Sequence, residues 1–438
     1  MSFESRIEYL GTHQVLEDRK SARIHSAKQI QKLTRSINRF GFINPIIVDS
    51  RNSIICGGAR LMAAKKLGLN RVPVIRADHL SEQEIRAYRL ADDRIAEDGQ
   101  WDKNLLRVEL NEILEIDENF DLTLSGFDTV EIDNLLVLED CSQTEGQDSV
   151  PEVNSAPRIA RQGDFWWVGD HRVFCGDARD INAITTALNG DAPQLTVIDP
   201  PYNVPIGGHV SGLGQNKHDN FAMACGEMDR ETYVLFLKDS LAALSKVSPE
   251  GSLHFVFMDW RHIRDLIEAG EAIFDAFKNL VVWRKSNAGM GAFYRSQHEL
   301  IAVFKKGTAP HVNNFGLGQD GRYRTNVWDY AGCTSLGRER DEALAIHPTV
   351  KPVAMISDLI RDCTNRGDLV LDTFAGSGTT LLAAEQTGRT AVLAEYDPAY
   401  VDVILQRAHS AVGVEPIHDE TGLTLNEIHA LRDNESAS

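Results

Sequence analysis

The chain has 438 residues, of which 42% are hydrophobic and 25% charged, and its formal net charge is −19. This composition is typical of a folded globular protein and excludes a disordered, collagen-like or disulfide-scaffold chain. The length predicts two or three domains. No apolar run reaches the roughly 18 residues of a spanning helix, and the start lacks a secretory signal, so we expect a cytoplasmic protein without membrane contact.

The charge is unevenly distributed along the chain. Residues 97–150 hold sixteen Asp and Glu against two Lys and Arg, whereas residues 278–351 hold eleven Lys and Arg against six Asp and Glu. The total charge argues against a nucleic-acid partner, because phosphate binding needs basic side chains. The basic stretch keeps DNA open as a partner. The six cysteines are scattered without metal-ligand spacing, so we expect reduced thiols and no metal site.

The strand and helix patterns of residues 1–139 predict a small α+β domain with an acidic helical extension. Ser81 and Glu84 form a capping-box signature that begins a helix. The predicted strands are INPIIVD (43–49), SIICGGA (53–59) and VPVIRA (72–77), and the predicted helices cover 61–69, 81–97 and much of 102–138. Residues 140–163 are rich in Ser, Gly, Pro and Gln and predict a linker.

Residues 164–412 alternate between strand and helix patterns. Such alternation predicts an α/β domain whose mostly parallel sheet, of about seven strands, has helices on both faces. Ligands bind such sheets beyond the carboxyl ends of the strands. The strands are expected at 171–175, 195–198, 252–257, 280–283, 299–304, 368–372 and 390–395, and the main helices at 232–247, 353–364 and 379–388. Residues 413–438 predict a polar, poorly ordered tail.

One apolar strand runs directly into Asp199-Pro200-Pro201-Tyr202. Two consecutive prolines lack N–H groups and have fixed φ, so they end the strand in a rigid turn. Asp199 and the Pro200 carbonyl would each accept a hydrogen bond from an exocyclic amino group, and Tyr202 would stack on the ring carrying it. The competing interpretation is a plain strand end with an Asp turn and a packed aromatic ring.

A second strand ends at Asp372 and leads into a glycine-containing loop, 374–378, and a helix. Gly376 and Gly378 allow close approach of a ligand, and the helix start offers unpaired N–H groups. Glu395 lies nineteen residues beyond Gly376, where nucleoside-binding βαβ units place an acid on the ribose. The third glycine of a dinucleotide site is missing and no Lys-Ser/Thr pair follows, so the pattern favours a nucleoside without phosphates.

The two strand ends together resemble the S-adenosylmethionine-dependent DNA amino-methyltransferases that make N6-methyladenine or N4-methylcytosine. The catalytic turn precedes the glycine loop, as in the permuted β class of that family. The resemblance covers residues 163–412 and includes CGDARD (175–180), VVWRKSN (281–287), YRSQHELIAVF (294–304) and HPTVKP (347–352). It implies a Rossmann-like methyltransferase sheet, S-adenosylmethionine as the cofactor and double-stranded DNA as the substrate.

The resemblance also assigns roles by position. Asp199, Pro200, Pro201 and Tyr202 would hold the target base as the catalytic turn. The cofactor would be bound by Asp177, Lys351, Asp372, Phe374, Gly376, Ser377, Gly378, Thr379 and Glu395. Within that set Asp177 would contact the adenine ring, Glu395 the ribose and Lys351 the methionine carboxylate. The target base would be swung out of the duplex, and no covalent enzyme intermediate is needed.

Relatives with Asp at the first position of the catalytic turn usually methylate adenine, so the resemblance favours N6-adenine over N4-cytosine. We expect the DNA target sequence to be recognised by residues 205–228 and 306–346, because these segments are additions to the minimal methyltransferase sheet. The arginines proposed to contact DNA are Arg322, Arg324, Arg338 and Arg340. Arginines read guanine edges or hold phosphates, and we expect more phosphate contacts. A homodimer is left open, and a cognate restriction nuclease is unknown.

The N-terminal segment resembles the ParB/sulfiredoxin-like domain that is often fused to such methylases. The nucleotide-binding box of chromosome-partitioning relatives reads GERR, whereas residues 57–60 read Gly-Gly-Ala-Arg. The loss of Glu and of one Arg argues against nucleotide hydrolysis and leaves Arg60 as a candidate anion contact. Cys56 lies in a different register from a sulfiredoxin cysteine. A structural or DNA-positioning module is therefore the favoured interpretation.

Two other classes of protein remain to be weighed. A ParB-like DNA-binding regulator with a dormant methylase domain is disfavoured by the intact turn at 199–202 and the intact loop at 374–380. A Rossmann-type oxidoreductase is disfavoured by the missing third glycine and by the proline turn. The methyltransferase hypothesis depends on whether the turn and the loop open into one cavity.

Overall fold

A computed structural model describes residues 6–17, 23–117, 120–136, 159–204, 226–286, 294–315, 324–331 and 350–436. The chain divides into two compact units between Leu138 and Glu139. Each unit has its own hydrophobic core, and the sequence patterns of the two units differ accordingly.

The N-terminal unit is built around a four-stranded sheet in the order β1-β4-β2-β3. Strand β1 pairs antiparallel with β4, β4 parallel with β2, and β2 antiparallel with β3. Its strands are β1 (Ile7–Gly11), β2 (Ile46–Val48), β3 (Ile54–Cys56) and β4 (Arg71–Arg76). Its helices are α1 (Ala27–Phe40), α2 (Gly58–Lys66), α3 (Glu82–Glu97), α4 (Lys103–Ile116) and α5 (Thr129–Leu136), with a 3-10 turn at Leu122–Ser125.

The start of α3 confirms the predicted capping box. The Ser81 side chain accepts a hydrogen bond from the Glu84 backbone N–H, and the Glu84 side chain accepts one from the Ser81 N–H at 2.8 Å. The N-terminal unit buries Ile46, Val48 and Leu61 almost completely, because these apolar residues lie on the sides of β2 and α2 that face each other.

The second unit contains a ten-stranded sheet in the order β11-β9-β10-β8-β7-β12-β13-β6-β5-β14. Its central strands β8, β7, β12, β13 and β6 are parallel, and β10 pairs antiparallel with β8 and β9. The strands are β5 (Phe165–Val168), β6 (His171–Cys175), β7 (Leu195–Ile198), β8 (Leu253–Met258), β9 (Ala276–Arg284), β10 (His298–Lys305), β11 (Val327–Asp329), β12 (Leu369–Asp372), β13 (Thr390–Glu395) and β14 (Ile417–His418).

Helices cover both faces of this sheet, as predicted. They are α6 (Ile181–Leu188), α7 (Arg230–Val247), α8 (Ile263–Glu271), α9 (Val353–Cys363), α10 (Thr379–Thr387), α11 (Pro398–Val412) and α12 (Leu425–Ser436). Successive residues of a strand point to opposite faces. Val370 accordingly packs with α9, α10 and α11, whereas Leu371 packs with α6, α7 and α8. The central strands are buried on both faces, which explains their continuous apolar runs.

The chain end differs from the expectation. The prediction of a poorly ordered tail after residue 412 is wrong, because β14 extends the sheet beside β5 and α12 packs behind it. The Arg432 guanidinium donates to both carboxylate oxygens of Asp164, at 2.6 and 3.0 Å. The last residues of the predicted linker also join this unit, since the backbone N–H groups of Ile159 and Ala160 donate to Asp402. Residues 137–158 lie outside the described part of the chain.

Within the described residues, no helix combines the length and the apolar character needed to cross a bilayer.

Candidate active site

The proline turn and the glycine loop lie side by side at one edge of the sheet. Strands β7 and β12 are parallel neighbours, with Leu195 opposite Val370 and Thr196 opposite Leu371. Their carboxyl ends therefore meet at the same edge, and Asp199 follows one of them. The neighbouring parallel strands β8 and β13 end there too. The arrangement on which the sequence hypotheses depend is present in the structure.

The carboxylate of Asp199 is held on both oxygens. The Tyr202 hydroxyl donates to Oδ1 at 2.6 Å, and the Lys351 ammonium lies 2.5 Å from Oδ2. Lys351 lies two residues before the start of α9 and is 152 residues away from Asp199 in the chain. The resemblance assigned it to the cofactor's carboxylate, whereas the structure pairs its ammonium with Asp199. Its backbone carbonyl accepts a hydrogen bond from Thr379 Oγ1 at 3.3 Å, which connects it to the start of α10.

Glu299, at the start of β10, forms the other side of this cluster. Its Oε2 lies 3.3 Å from the Lys351 Nζ and 3.4 Å from the Tyr202 hydroxyl. Its Oε1 accepts a hydrogen bond from the Lys285 ammonium. Because Leu300 pairs with Met258 at the end of β8, Glu299 is carried to the edge where the parallel strands end.

Burial and neighbouring charges set the ionisation of this cluster. Burial raises the pKa of Asp199, and the ammonium of Lys351 opposes that rise. Burial also works against the charge of Lys351, but the carboxylates of Asp199 and Glu299 outweigh it and raise the pKa of Lys351. Burial, with the same carboxylates, holds the pKa of Tyr202 well above its usual value, so the phenol keeps its proton and donates it.

Aromatic rings surround the Lys351 ammonium. Its Nζ lies 5.1 Å from the centre of the Phe257 ring, 5.9 Å from that of Tyr202 and 6.0 Å from that of Trp283. Cations are attracted to the faces of aromatic rings within about 6 Å. Aromatic side chains therefore line the sheet edge beside Asp199, and the Lys351 ammonium lies there between two carboxylates.

A further tyrosine fixes the proline turn. The Tyr233 hydroxyl, on α7, donates to the Pro201 carbonyl at 2.8 Å, and the ring is fully buried. No hydrogen bond to the Pro200 carbonyl is found among the described residues. The turn is thus held by the second carbonyl, and the first keeps its acceptor capacity for the amino group that the sequence hypothesis assigns to it.

The glycine loop has the shape of a ligand-binding turn. Gly376 and Gly378 have φ of 53° and 79°, in the left-handed region that favours glycine. A Cβ at Gly378 would lie 3.1 Å from Ile404. The Gly376 N–H donates to Glu395 Oε2 at 2.8 Å, so the acid predicted to hold a ribose also fixes the loop. Phe374 is half-buried beside Phe236.

Two carboxyl groups lie beside this loop, of which Asp372 is buried and Glu395 is half-buried. Asp372 accepts hydrogen bonds from Thr380 Oγ1 at 2.6 Å and from the Phe374 N–H at 3.0 Å, and burial raises its pKa to about 7. Burial also raises the pKa of Glu395 to about 7. The buried hydroxyl of Thr373 has no hydrogen-bond partner among the described residues. A buried hydroxyl without a partner is expected where a ligand completes the hydrogen bonding.

Arg407, on α11, supports the loop from within the protein. Its buried guanidinium donates to the Ser377 carbonyl at 3.1 Å, to Ser377 Oγ at 3.2 Å and to Thr379 Oγ1 at 3.2 Å. All three acceptors lie around Nη1, whose two hydrogens they share, so one nitrogen holds the loop and the first residue of α10 together.

The remaining predicted residues are placed as follows. Asp177 accepts hydrogen bonds from Arg179, including one at 2.6 Å from Nη2, and contacts with a cofactor ring stay a prediction. Arg324 is partly buried, and its guanidinium bonds to Asp362 at 2.8 Å and to Tyr330 at 3.1 Å. These intramolecular bonds give Arg324 a structural role, and its DNA contact stays a prediction. Arg322, Arg338, Arg340 and most of 205–228 lie outside the described residues.

Sequence reasoning missed several residues of this edge. Glu299 and Lys285 lie inside two segments that carried the resemblance, 294–304 and 281–287, but neither received a role. Tyr233 lies in the helix predicted at 232–247, and Arg407 lies in α11. No local signal distinguishes either residue from its neighbours. Among the described residues, no group of His, Cys, Asp and Glu is arranged to hold a metal ion.

Comparison with known proteins identifies three regions. Residues 4–92 match the ParB N-terminal domain, residues 104–162 the ParB-methyltransferase helix-turn-helix domain, and residues 194–406 the N6/N4 DNA methylase family. The sequence patterns alone indicated only acidic amphipathic helices in the middle region. The described part of that region contains α4, the 3-10 turn and α5.

Individual relatives are distant. The type II methyltransferase M.HpaI of Haemophilus parainfluenzae is 24% identical over 260 residues, which cover 55% of this chain and 75% of that protein. The structure of M1.HpyAVI with S-adenosylmethionine is 21% identical, with a TM-score of 0.40, and the match covers 54% of this chain and 97% of that one. The PvuII DNA methyltransferase, titled cytosine-N4-specific, is 16% identical, with a TM-score of 0.42 and coverage of 61% and 92%.

The family matches agree with the positions of the proline turn and the glycine loop, both of which fall within residues 194–406. Residues 194–406 therefore match the N6/N4 DNA methylase family, and residues 4–92 match the ParB N-terminal domain.

Proposed function

We propose that the protein transfers a methyl group from S-adenosylmethionine to the N6 amino group of adenine in double-stranded DNA. The observation that carries the proposal is the adjacency of Asp199 and the glycine loop at the ends of the parallel neighbours β7 and β12. A methyl donor bound at the loop and a base bound at the turn would meet there.

The residues at the loop suit this cofactor better than a phosphate-bearing one. Asp372 and Glu395 present carboxyl groups, which would repel phosphates and attract the positive charge of a sulfonium or an ammonium group. The orphaned Thr373 hydroxyl and the N-terminus of α10 supply the remaining polar groups. When bound, the cofactor supplies an activated methyl group on a positively charged sulfur.

The protein's part in the reaction is positioning and charge. The target nitrogen is a weak nucleophile because its lone pair is delocalised into the base. Hydrogen bonds from the amino group to Asp199 and to the Pro200 carbonyl would favour the tetrahedral nitrogen that attacks the methyl carbon. The same carboxylate would accept the surplus proton that the nitrogen loses after the transfer. Tyr202 and Lys351 hold that carboxylate in place.

The choice of adenine rests on Asp at the first position of the turn, with N4-cytosine as the alternative. Purified protein, labelled S-adenosylmethionine and plasmid DNA from an unmethylated host form the test, followed by nucleoside mass spectrometry. We expect N6-methyladenine. If the product is N4-methylcytosine, the target base is cytosine and the protein is still a DNA amino-methyltransferase. If no base is labelled, a ParB-like regulator with a dormant methylase domain is favoured.

The Asp199→Ala variant tests the assigned acceptor. We expect it to bind S-adenosylmethionine with near wild-type affinity and to lose methyl transfer by about 10²–10³-fold, because a preorganised acceptor is removed. Isothermal titration calorimetry and the labelling assay measure the two effects. Full activity in this variant contradicts the assignment.

DNA is expected to contact the basic stretch at 278–351 more than the acidic helices of residues 97–150, because phosphates repel carboxylates. The cytoplasmic location, a homodimer and a partner nuclease stay predictions.

A further inference from the structure

The buried cluster around Asp199 contains a carboxylate, that of Glu299, to which neither the sequence patterns nor the comparisons assign a role. Glu299 has a side chain that is 11% exposed, and it lies on β10, two strands away from β7 in the sheet. Burying a carboxylate away from water destabilises the folded protein unless the charge is paired. Its partners therefore indicate what the residue does.

Glu299 and Asp199 share one ammonium. Lys351 Nζ lies between Asp199 Oδ2 at 2.5 Å and Glu299 Oε2 at 3.3 Å. The Tyr202 hydroxyl likewise lies 2.6 Å from Asp199 and 3.4 Å from Glu299. Glu299 thus contacts both groups that orient Asp199, the Lys351 ammonium and the Tyr202 hydroxyl.

The charges of this cluster are balanced. Asp199 and Glu299 carry two negative charges, and Lys351 and Lys285 carry two positive ones. Removing the charge of Glu299 would leave two ammonium groups near one carboxylate. Lys351 would then pair more closely with Asp199 and compete for the oxygen lone pairs that the substrate amino group needs.

We propose that Glu299 is a positioning residue that acts through Lys351 to keep the Asp199 carboxylate oriented and available as an acceptor. The inference rests on the proposed methyl transfer for its kinetic consequence. It extends that proposal by adding a residue that does not touch the substrate. The aromatic walls formed by Phe257 and Trp283 limit the positions that the lysine side chain adopts, so the second carboxylate decides where its charge lies.

The first test is the isosteric variant Glu299→Gln. We expect kcat for methyl transfer to fall about 10-fold or more, with cofactor and DNA dissociation constants changed by less than about 3-fold. The matched control is Glu268→Gln, which removes a half-exposed carboxylate paired with Arg230 on the surface of the same unit. It should leave kcat unchanged. Wild-type kcat in Glu299→Gln overturns the proposal.

A double variant distinguishes action through Lys351 from a general structural effect. Lys351→Met and Lys351→Met/Glu299→Gln should have kcat values within about 2-fold of each other, because a residue acting through another has no effect once that residue is gone. The double variant removes one buried charge of each sign, so it also shows the result if Glu299→Gln alone does not fold. Independent, multiplying losses overturn the proposal.

A third measurement does not use activity. Trace acylation followed by mass spectrometry compares Lys351 with the exposed Lys246 in the same sample. Lys351 should react slowly in the wild-type protein and at least about 3-fold faster in Glu299→Gln, since the lost carboxylate no longer favours the protonated amine. Unchanged reactivity contradicts the network. If the wild-type protein methylates no DNA, the proposed function fails, while the acylation result still decides the role of Glu299.

Discussion

At the scale of single residues, Asp372 and Glu395 beside the glycine loop are two carboxyl groups whose pKa values burial raises to about 7. A folded-state pKa above the unfolded value means that the folded protein binds more protons near neutral pH. The contribution to stability is therefore fully present only below the unfolded values of 3.8 and 4.5, and it is lost as the pH rises from there through about 7. A bound cation reverses the preference, because it favours the ionised carboxylates.

The affinity for S-adenosylmethionine should consequently increase as the pH rises from 6 to 8.5. Calorimetric titration across this range measures it, with S-adenosylhomocysteine as the comparison ligand because it lacks the sulfonium charge. Glu395→Gln removes one titrating group and should flatten the profile. An affinity that does not change with pH would contradict the charge-based account of the site.

At the scale of secondary-structure elements, the glycine loop is shaped by α11 as much as by its own glycines. The loop connects β12 to α10, but the three hydrogen bonds from Arg407 come from the helix after β13. Charged hydrogen bonds inside a protein are stronger than neutral ones, and their loss leaves buried acceptors unsatisfied. Loop geometry, and so cofactor affinity, depends on this contact.

Arg407→Met should weaken S-adenosylmethionine binding about 10-fold or more, because a lost charged hydrogen bond is worth roughly 1.5–3 kcal/mol. The matched control is Arg389→Met, which removes another buried arginine that bonds to Thr364 and Thr387 away from the loop. Arg389→Met should lower the melting temperature without a specific loss of affinity. Equal affinity losses in both variants would count against the positioning role.

At the scale of the whole second unit, the chain end completes the ten-stranded sheet. Strand β14 pairs with β5, and Arg432 of α12 forms a bidentate ion pair with Asp164, where the two side chains are 12% and 10% exposed. His418 adds an edge-to-face contact with the buried Trp166. The end of the chain thus covers a sheet edge that would otherwise be open.

Arg432→Ala should lower the free energy of unfolding by about 2–3 kcal/mol, since breaking a largely buried pair leaves an uncompensated carboxylate. Urea denaturation of the full chain measures this change. Arg284→Ala is the control, because its pair with Asp329 has side chains 63% and 58% exposed and should contribute less than about 1 kcal/mol. A loss in Arg432→Ala no larger than in the control would show that the tail contributes little.

The amino-acid sequence by itself determined the elements and the two reactive strand ends. Hydrophobic periodicity, prolines and glycines act over a few residues, so the turn at Asp199, the loop at Gly376 and the capping box at Ser81 were all predictable. Sheet order decided the rest, because it brings together residues far apart in the chain. It placed Lys351 on Asp199 across 152 positions, brought Glu299 to the same edge and packed the polar tail against β5. Such contacts depend on which strands become neighbours, and no local pattern encodes that choice.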